Sequence, residues 1–361
     1  AHKSFLIALG IAALAFVTVF PIIIIKLPKL FGINTILAIL VLLFLIWGAY
    51  YSEKKKIDSL RLIFLSVIFV VLGYSLYITV IMRASVDNLP VNQNNPRTTE
   101  GFVSYLSREQ YGEQPLIWPR RYSQQPQHQP TWRKYSSDSE FMLKYQINEM
   151  YIRYVLWQFI GRAGYDQDDG IDFKKLYAIP FLFGLLGLFY LTKKDKKTGF
   201  ILIFTFLLFG VLTALYQNQQ DPQPRERDYF YVASYMIFCL WIGHGVLFIA
   251  DLIKEKIKSN SSKALIASVL LLSFVIVPLN MLKASYFHQD RSGNYLPFDY
   301  AYNILQSVEK DAILITNGDN DTFPLWCLQA VYGIRTDVRI VNLSLANADW
   351  YNLQLKNERP Y

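Results

Sequence analysis

Arg225, Glu226, Arg227 and Asp228 stand in a row within QNQQDPQPRERDYFYV, residues 217–232, and an almost unbroken apolar run lies on either side. Charge so close to hydrocarbon persists only with a partner, a cavity or a ligand. A guanidinium offers a rigid fork of donors and stays charged in partly dry surroundings, which suits a phosphate. On that reading Arg225 and Arg227 bind phosphate, while Glu226 and Asp228 orient the arginines rather than act as bases. Arg83, at the outer end of another apolar run, is a third candidate cation, with a snorkelling interfacial arginine as the alternative. The competing account of 225–228 is a salt-bridged helix start with Asp228 facing the dipole. Against it, Pro222 and Pro224 stiffen the approach and leave both arginines on extended chain.

A second cluster is Asp319 and Asp321 in the turn NGDND, between a predicted strand and a predicted helix. Two carboxylates so spaced could share a divalent cation or meet a ligand, as loops after strands often do. Turn chemistry, with Asp321 or Thr322 as N-cap before Pro324, is the other reading. No other cofactor is indicated. His2, His128, His244 and His288 are scattered without metal-ligand spacing, and Cys239 and Cys327 match no metal motif or plausible disulfide.

The elements that hold these residues are mostly membrane spans. Aliphatic and aromatic residues make up 53% of the 361 and charged ones 18%, with the apolar residues in bilayer-length blocks. Seven spans are predicted: residues 4–25, 31–51, 62–82, 176–192, 199–216, 229–250 and 264–283. Pro21, Pro180 and Pro278 are expected to kink spans rather than end them. The net charge of +8 comes from Lys clusters beside apolar blocks, which the positive-inside rule explains, and no basic face for nucleic acid is present. SEKKKIDSLR, TKKDKKTG and DLIKEKIKSNSSK each carry four cations, so those loops are cytoplasmic and the alternate segments lie outside. The chain starts at AHKSF and stops at NERPY, and is read as an internal segment of something longer.

The expected class is a mainly α, polytopic membrane protein with a long outer-face loop region and the start of a small α/β extracytoplasmic domain. Its divisions are 1–82 with three spans, 83–175 outside, 176–283 with four spans, and 284–361 outside. Residues 83–140 are rich in Pro, Gln, Asn and Ser and read as loop, with a short helix in TEGFVSYLSREQYG ended by Gly112. Over about 141–162 apolar positions recur at helical spacing, opposed by Lys144, Asn148, Glu149 and Arg153. With Tyr145, Tyr151, Tyr154 and Trp157 this predicts an interfacial helix, either an anchor or one wall of a groove for a lipid-linked substrate. FDYAYNILQSVEKD reads as helix, AILIT as strand, TFPLWCLQAVYG as a helix closed by Gly333, and DVRIVNLSL as a second strand.

VDNLPVNQNNP, SREQYGEQPL, RYVLWQFIGR, PQPRERDYFYVASYMIFCLWIGHG and AILITNGDNDTFPLWCLQAVYGIRTDVRIVNLSLANADWY resemble bacterial, Bacteroidetes-type multi-pass proteins. Those are related to the protein O-mannosyltransferases of the transmembrane protein 260 kind. The resemblance implies a GT-C fold in a bacterial inner membrane with its C-terminal domain on the periplasmic side. It further implies transfer of a mannose-like sugar from a polyprenyl-phosphate donor to hydroxyls of acceptor proteins. The family's acidic residue near the outer end of its first span, followed by a His-Pro-Pro run, has no match here. No catalytic residue is therefore assigned, and the base is expected outside this chain.

Two other classes compete. A transporter or flippase of lipid-linked substrates should carry ionisable residues deep in its spans and paired repeats, neither of which is evident. A catalytically silent membrane scaffold fits the missing acidic segment.

Overall fold

The computed structural model describes residues 35–358 apart from 88, 108, 110, 111, 113, 114, 116, 124 and 258–260. The expected span 4–25, with Pro21 and His2, lies outside them. The chain divides into two compact units, 1–113 with 293–361, and 114–292. The segment 83–175 is thus shared between units.

In the first unit α1 (Thr35–Lys54) and α2 (Asp58–Ser75) form a hairpin, and α3 (Ile78–Ala84) prolongs α2. Phe64 meets Phe44 edge-on at 5.8 Å and lies against Gly48, where an added Cβ would strike the Phe64 ring. Small residues permit this close approach where helices lack a hydrophobic drive to associate. Leu62 and Phe69 are each 67% exposed, and uncovered apolar side chains on such a helix suit lipid. α4 (Thr99–Ser107) stops before Gly112, whose φ of +72° belongs to a turn beyond the helix.

The second unit begins with α5 (His128–Trp132) and α6 (residues 138–159), whose middle, Met142–Ile152, is π-helical. There follow α7 (Phe173–Leu176), α8 (Ile179–Lys194), α9 (Lys196–Gln217), α10 (Asp228–Lys256) and α11 (Ser262–Gln289). Four helices among the described residues are long and apolar enough to cross a membrane: Asp58–Ala84, α9, α10 and α11. This is a membrane protein. α1 and the 16-residue α8 are apolar helices outside that set. Pro180 does not kink α8 but starts it, after Tyr177 and Ala178 break the chain with φ of +53° each. Pro278 lies inside α11, in the π-helical turn Val275–Leu279.

α8 and α10 touch along small residues. A Cβ on Gly187 would meet the Trp241 carbonyl, and one on Gly245 the Phe183 carbonyl. Backbones can approach this closely only where no side chain intervenes.

α6 is not an exposed interfacial element but the middle of this unit's core. Phe141, Tyr145, Met150, Tyr151, Tyr154, Trp157 and Phe159 are buried with Tyr231, Phe238 and Trp241. Even Arg153, assigned to a polar face, is buried, because distant carboxylates neutralise it.

The first unit resumes with α12 (Leu296–Gln306), β1 (Ile313–Thr316), α13 (Asp319–Tyr332), β2 (Arg339–Asn342) and α14 (Asp349–Asn357). β1 and β2 pair in parallel, Ile313 opposite Arg339 through Thr316 opposite Asn342. Ala301, Leu305, Leu325, Leu328, Val338 and Ile340 form the core beneath them. Gly333, at φ +66°, caps α13, and its N–H bonds back to the Gln329 carbonyl.

Candidate functional site

α8 and α10 start, and α9 and α11 finish, at one end of the second unit. Lys194 on α8 and Asp251 on α10 pair at 2.7 Å at the other, Lys-rich end. The charged stretch 217–228 joins α9 to α10 at the first end, and residues 115–168 pin it along its length.

Asn218 adopts φ +45° to end α9, a left-handed conformation that Asn tolerates. Its Nδ2 donates to the Pro115 carbonyl at 2.8 Å, and its Oδ1 accepts from Gln146 Nε2 at 2.9 Å. Gln220 Nε2 donates to the Arg120 carbonyl at 2.8 Å, and the Arg120 guanidinium donates to the Leu215 carbonyl at 2.7 Å. The Tyr135 hydroxyl donates to Asp221 at 3.3 Å; burial and this carboxylate push the phenol up to about 12. Together these bonds tie the loop to residues 115–146, while Gln219 Oε1, Gln220 Oε1 and Arg120 Nε stay buried without a partner among the described residues.

Glu226 does not orient Arg225 or Arg227. Its two oxygens accept from both terminal nitrogens of Arg153, each at 3.1 Å. It also accepts from the Asp168 backbone N–H at 2.7 Å and from the Tyr154 hydroxyl. Burial raises the Glu226 carboxyl, but the bonds from Tyr154, Asp168 and Arg153 outweigh it and hold the group below the ordinary carboxylate range. Asp228 likewise turns from the arginines and accepts from Gln158 Nε2 at 3.3 Å. Among the described residues neither Arg225 nor Arg227 forms an ion pair within 4.0 Å. Arg225 is exposed, and Arg227 keeps a buried Nε with no hydrogen-bond partner.

Beside the loop opens a cavity of about 660 Å³, with Arg162, Arg291, His288, Asp228, Gln158 and Tyr235 in its walls. His288 stacks on Tyr165 at 3.5 Å between ring centres. Arg162 lies 3.9 Å over the Trp157 ring and donates to the Asp166 carbonyl, yet its Nε is buried without a partner. The Tyr235 hydroxyl is also buried and unpartnered. An unsatisfied buried donor costs roughly 1–3 kcal/mol, and water or a ligand in this polar cavity would supply the missing acceptors. Tyr229 and Val232, exposed at the start of α10, complete the wall with apolar surface. Sequence reasoning missed Arg162, Arg291, Tyr235 and His288. Arg162 at the end of RYVLWQFIGR was the visible signal, a cation closing an aromatic helix.

The remaining predicted residues lie in the first unit. Arg83 is exposed in the last turn of α3. Asp319 and Asp321 occupy the first turn of α13, where they favour the helix dipole. The N-cap is Gly318, not Asp321 or Thr322, because Thr322 is drawn inside: its Oγ1 lies 2.6 Å from that of Thr316 and accepts from Asn342 at 2.8 Å. Among the described residues no third His, Cys, Asp or Glu joins the two aspartates in a group that could hold a metal.

Residues 297–360 match the family of the TMEM260-associated domain 2. Over 330 residues, 88% of this chain, it is 22% identical to the protein O-mannosyl-transferase tmem260 of Dictyostelium discoideum. The chain resembles the TMEM260 proteins. It spans 37% of the length of that relative, and no solved structure matches it. The TMEM260-associated domain 2 match covers α12 to α14, whereas the loop 217–228 and its cavity lie outside it.

Proposed function

We propose that this chain is part of a GT-C-type membrane glycosyltransferase that takes a mannose-like sugar from a polyprenyl-phosphate donor and gives it to hydroxyls of acceptor proteins. The reading places the three Lys-rich loops in the cytoplasm of a bacterial cell. The loop 217–228 and the C-terminal region then lie on the periplasmic side of the inner membrane. In the reaction the acceptor oxygen bonds to the anomeric carbon, and the bond to the phosphate oxygen breaks. The phosphate leaves with the electron pair, and the hydroxyl proton passes to a base to which no residue of this chain is assigned.

One observation carries the reading: unpaired guanidinium groups sit where apolar helix meets polar loop. Arg225, Arg227 and Arg162 form no ion pair within 4.0 Å among the described residues, and Arg227 and Arg162 each keep an orphaned Nε. A phosphate supplies the acceptors these donors lack, and the exposed Tyr229 and Val232 suit the first part of its hydrocarbon chain. Within the cavity Asp228, Gln158 and Gln289 offer partners for sugar hydroxyls.

The test is Arg227→Ala in the full-length protein. Transfer of sugar to acceptor protein, followed by mass spectrometry, should be abolished while the protein stays folded in detergent. Normal glycosylation by the folded variant would remove the phosphate-binding role.

A further inference from the structure

We propose that a polar cleft in the first unit binds a neutral saccharide, independently of the transfer reading above. The cleft has a volume of about 490 Å³ and lies between the segment after α3 and the helix α14. That volume falls within the roughly 300–1,000 Å³ of small-molecule sites. Only one wall, α14, belongs to the matched domain; the other comes from residues 87–97.

The two walls are fixed to each other. The Asn92 backbone N–H donates to Gln354 Oε1 at 3.2 Å, and Gln354 Nε2 donates to the Leu89 carbonyl at 2.9 Å. Asn92 Nδ2 and Arg97 Nε both donate to the Ala84 carbonyl, at 3.0 and 2.6 Å, and Arg97 pairs with Glu358 at 3.6 Å. The chain from the end of α3 is thereby held on a helix that follows it by more than 260 residues, and the cleft is a preformed feature rather than a gap between mobile loops.

Its lining selects the ligand. Asn95 and Asn357 are exposed; Asn95 Oδ1 accepts from Asn92 Nδ2 at 3.1 Å and its Nδ2 is left to donate, while the Asn357 amide can both donate and accept, as a sugar hydroxyl does. Asp87 is exposed with no partner among the described residues, and adds a strong acceptor. Trp350 supplies a half-exposed ring against which the C–H face of a pyranose can lie. With Arg97 positive and Asp87 and Glu358 negative, the lining bears a net negative charge, which opposes phosphate and carboxylate ligands. Leu353 and Trp350 are too little apolar surface for a lipid chain. The adjoining Asn94 also keeps a buried Nδ2 without a partner among the described residues.

The experiment uses the whole chain in detergent, labelled with fluorotryptophan, and follows the Trp350 fluorine resonance, assigned with Trp350→Phe. Methyl α-D-mannopyranoside, methyl α-D-glucopyranoside, inorganic phosphate and an unglycosylated Ser/Thr peptide are the probes. At least one glycoside should shift the resonance saturably, while phosphate and peptide do not. Affinity measured by calorimetry should weaken about tenfold in Trp350→Ala and about threefold in Asn357→Ala, an exposed position at the end of α14 where loss of fold is not at issue. Lys194→Ala, in neither site, should bind glycoside as the unaltered chain does. Glycoside binding by a protein that transfers no sugar leaves this cleft standing while the transfer reading fails. The proposal is overturned if neither glycoside binds below roughly 50 mM. Tighter binding of phosphate or peptide overturns it too, as does unchanged affinity in Asn357→Ala.

Discussion

The two ends of the α8–α10 pair carry charge in opposite ways. At the Lys-rich end, Lys194 and Asp251 meet with side chains 62% and 50% exposed, and water screens what they gain. At the other end, Arg153 and Glu226 meet bidentately with side chains 9% and 14% exposed, backed by Tyr154 and the Asp168 N–H. The first pair, screened by water, contributes little to the fold. The second is structural, since both groups are largely buried and held by several bonds at once, Arg153 pairing with Glu149 and Asp168 as well. Counting charges would rank the ends the wrong way round; burial ranks them correctly. The buried pair also sharpens the functional contrast, because by satisfying Glu226 it leaves Arg225 and Arg227 to something else.

The largest effect expected is from Glu226→Ala, which takes the bidentate partner from Arg153 and leaves it only Glu149 at 3.3 Å and Asp168 at 3.8 Å; it should cost about 1–3 kcal/mol, read as loss of thermal stability in detergent. A loss no greater than that of Lys194→Ala would break the comparison. Next, Arg162→Ala and Arg291→Ala should each weaken binding of polyprenyl phosphate by about tenfold or more with the melting temperature unchanged. If they unfold the protein instead, the cavity is structural. A smaller effect concerns acid. The folded Glu226 carboxyl lies below its unfolded value, so its stabilisation is complete above the unfolded value, near 4.3, and fades as pH drops through the folded one. Glu226→Gln should flatten that part of the stability–pH curve, and an unaltered acid limb would assign the sensitivity elsewhere. The smallest effect is Lys194→Ala, for which thermal unfolding should show no measurable change, at low salt or high.

Some of this was legible locally. The stop of α13 at Gly333 needs only a left-handed residue after an apolar run. The apolar runs that became α9, α10 and α11 are long enough by composition alone. Other expectations failed for equally physical reasons. Pro180 reads as a kink in a string of apolar residues, but its missing N–H is harmless in a first turn, and only the backbone break at Tyr177 and Ala178 decides which role it plays. The helical spacing over 141–162 correctly implied a helix, yet its amphipathic face did not say what would cover the other side.

The sequence by itself determined that this is a membrane protein with charge concentrated where helices end, because hydropathy and Lys placement are properties of short stretches of chain. Which charges serve the fold and which stand free was decided by tertiary structure. Arg153 and Glu226 are 73 residues apart, and Arg162, Tyr235 and His288 come from three separate helix ends. Pairing, burial and the sharing of one cavity depend on distances in space that no local pattern of residues encodes.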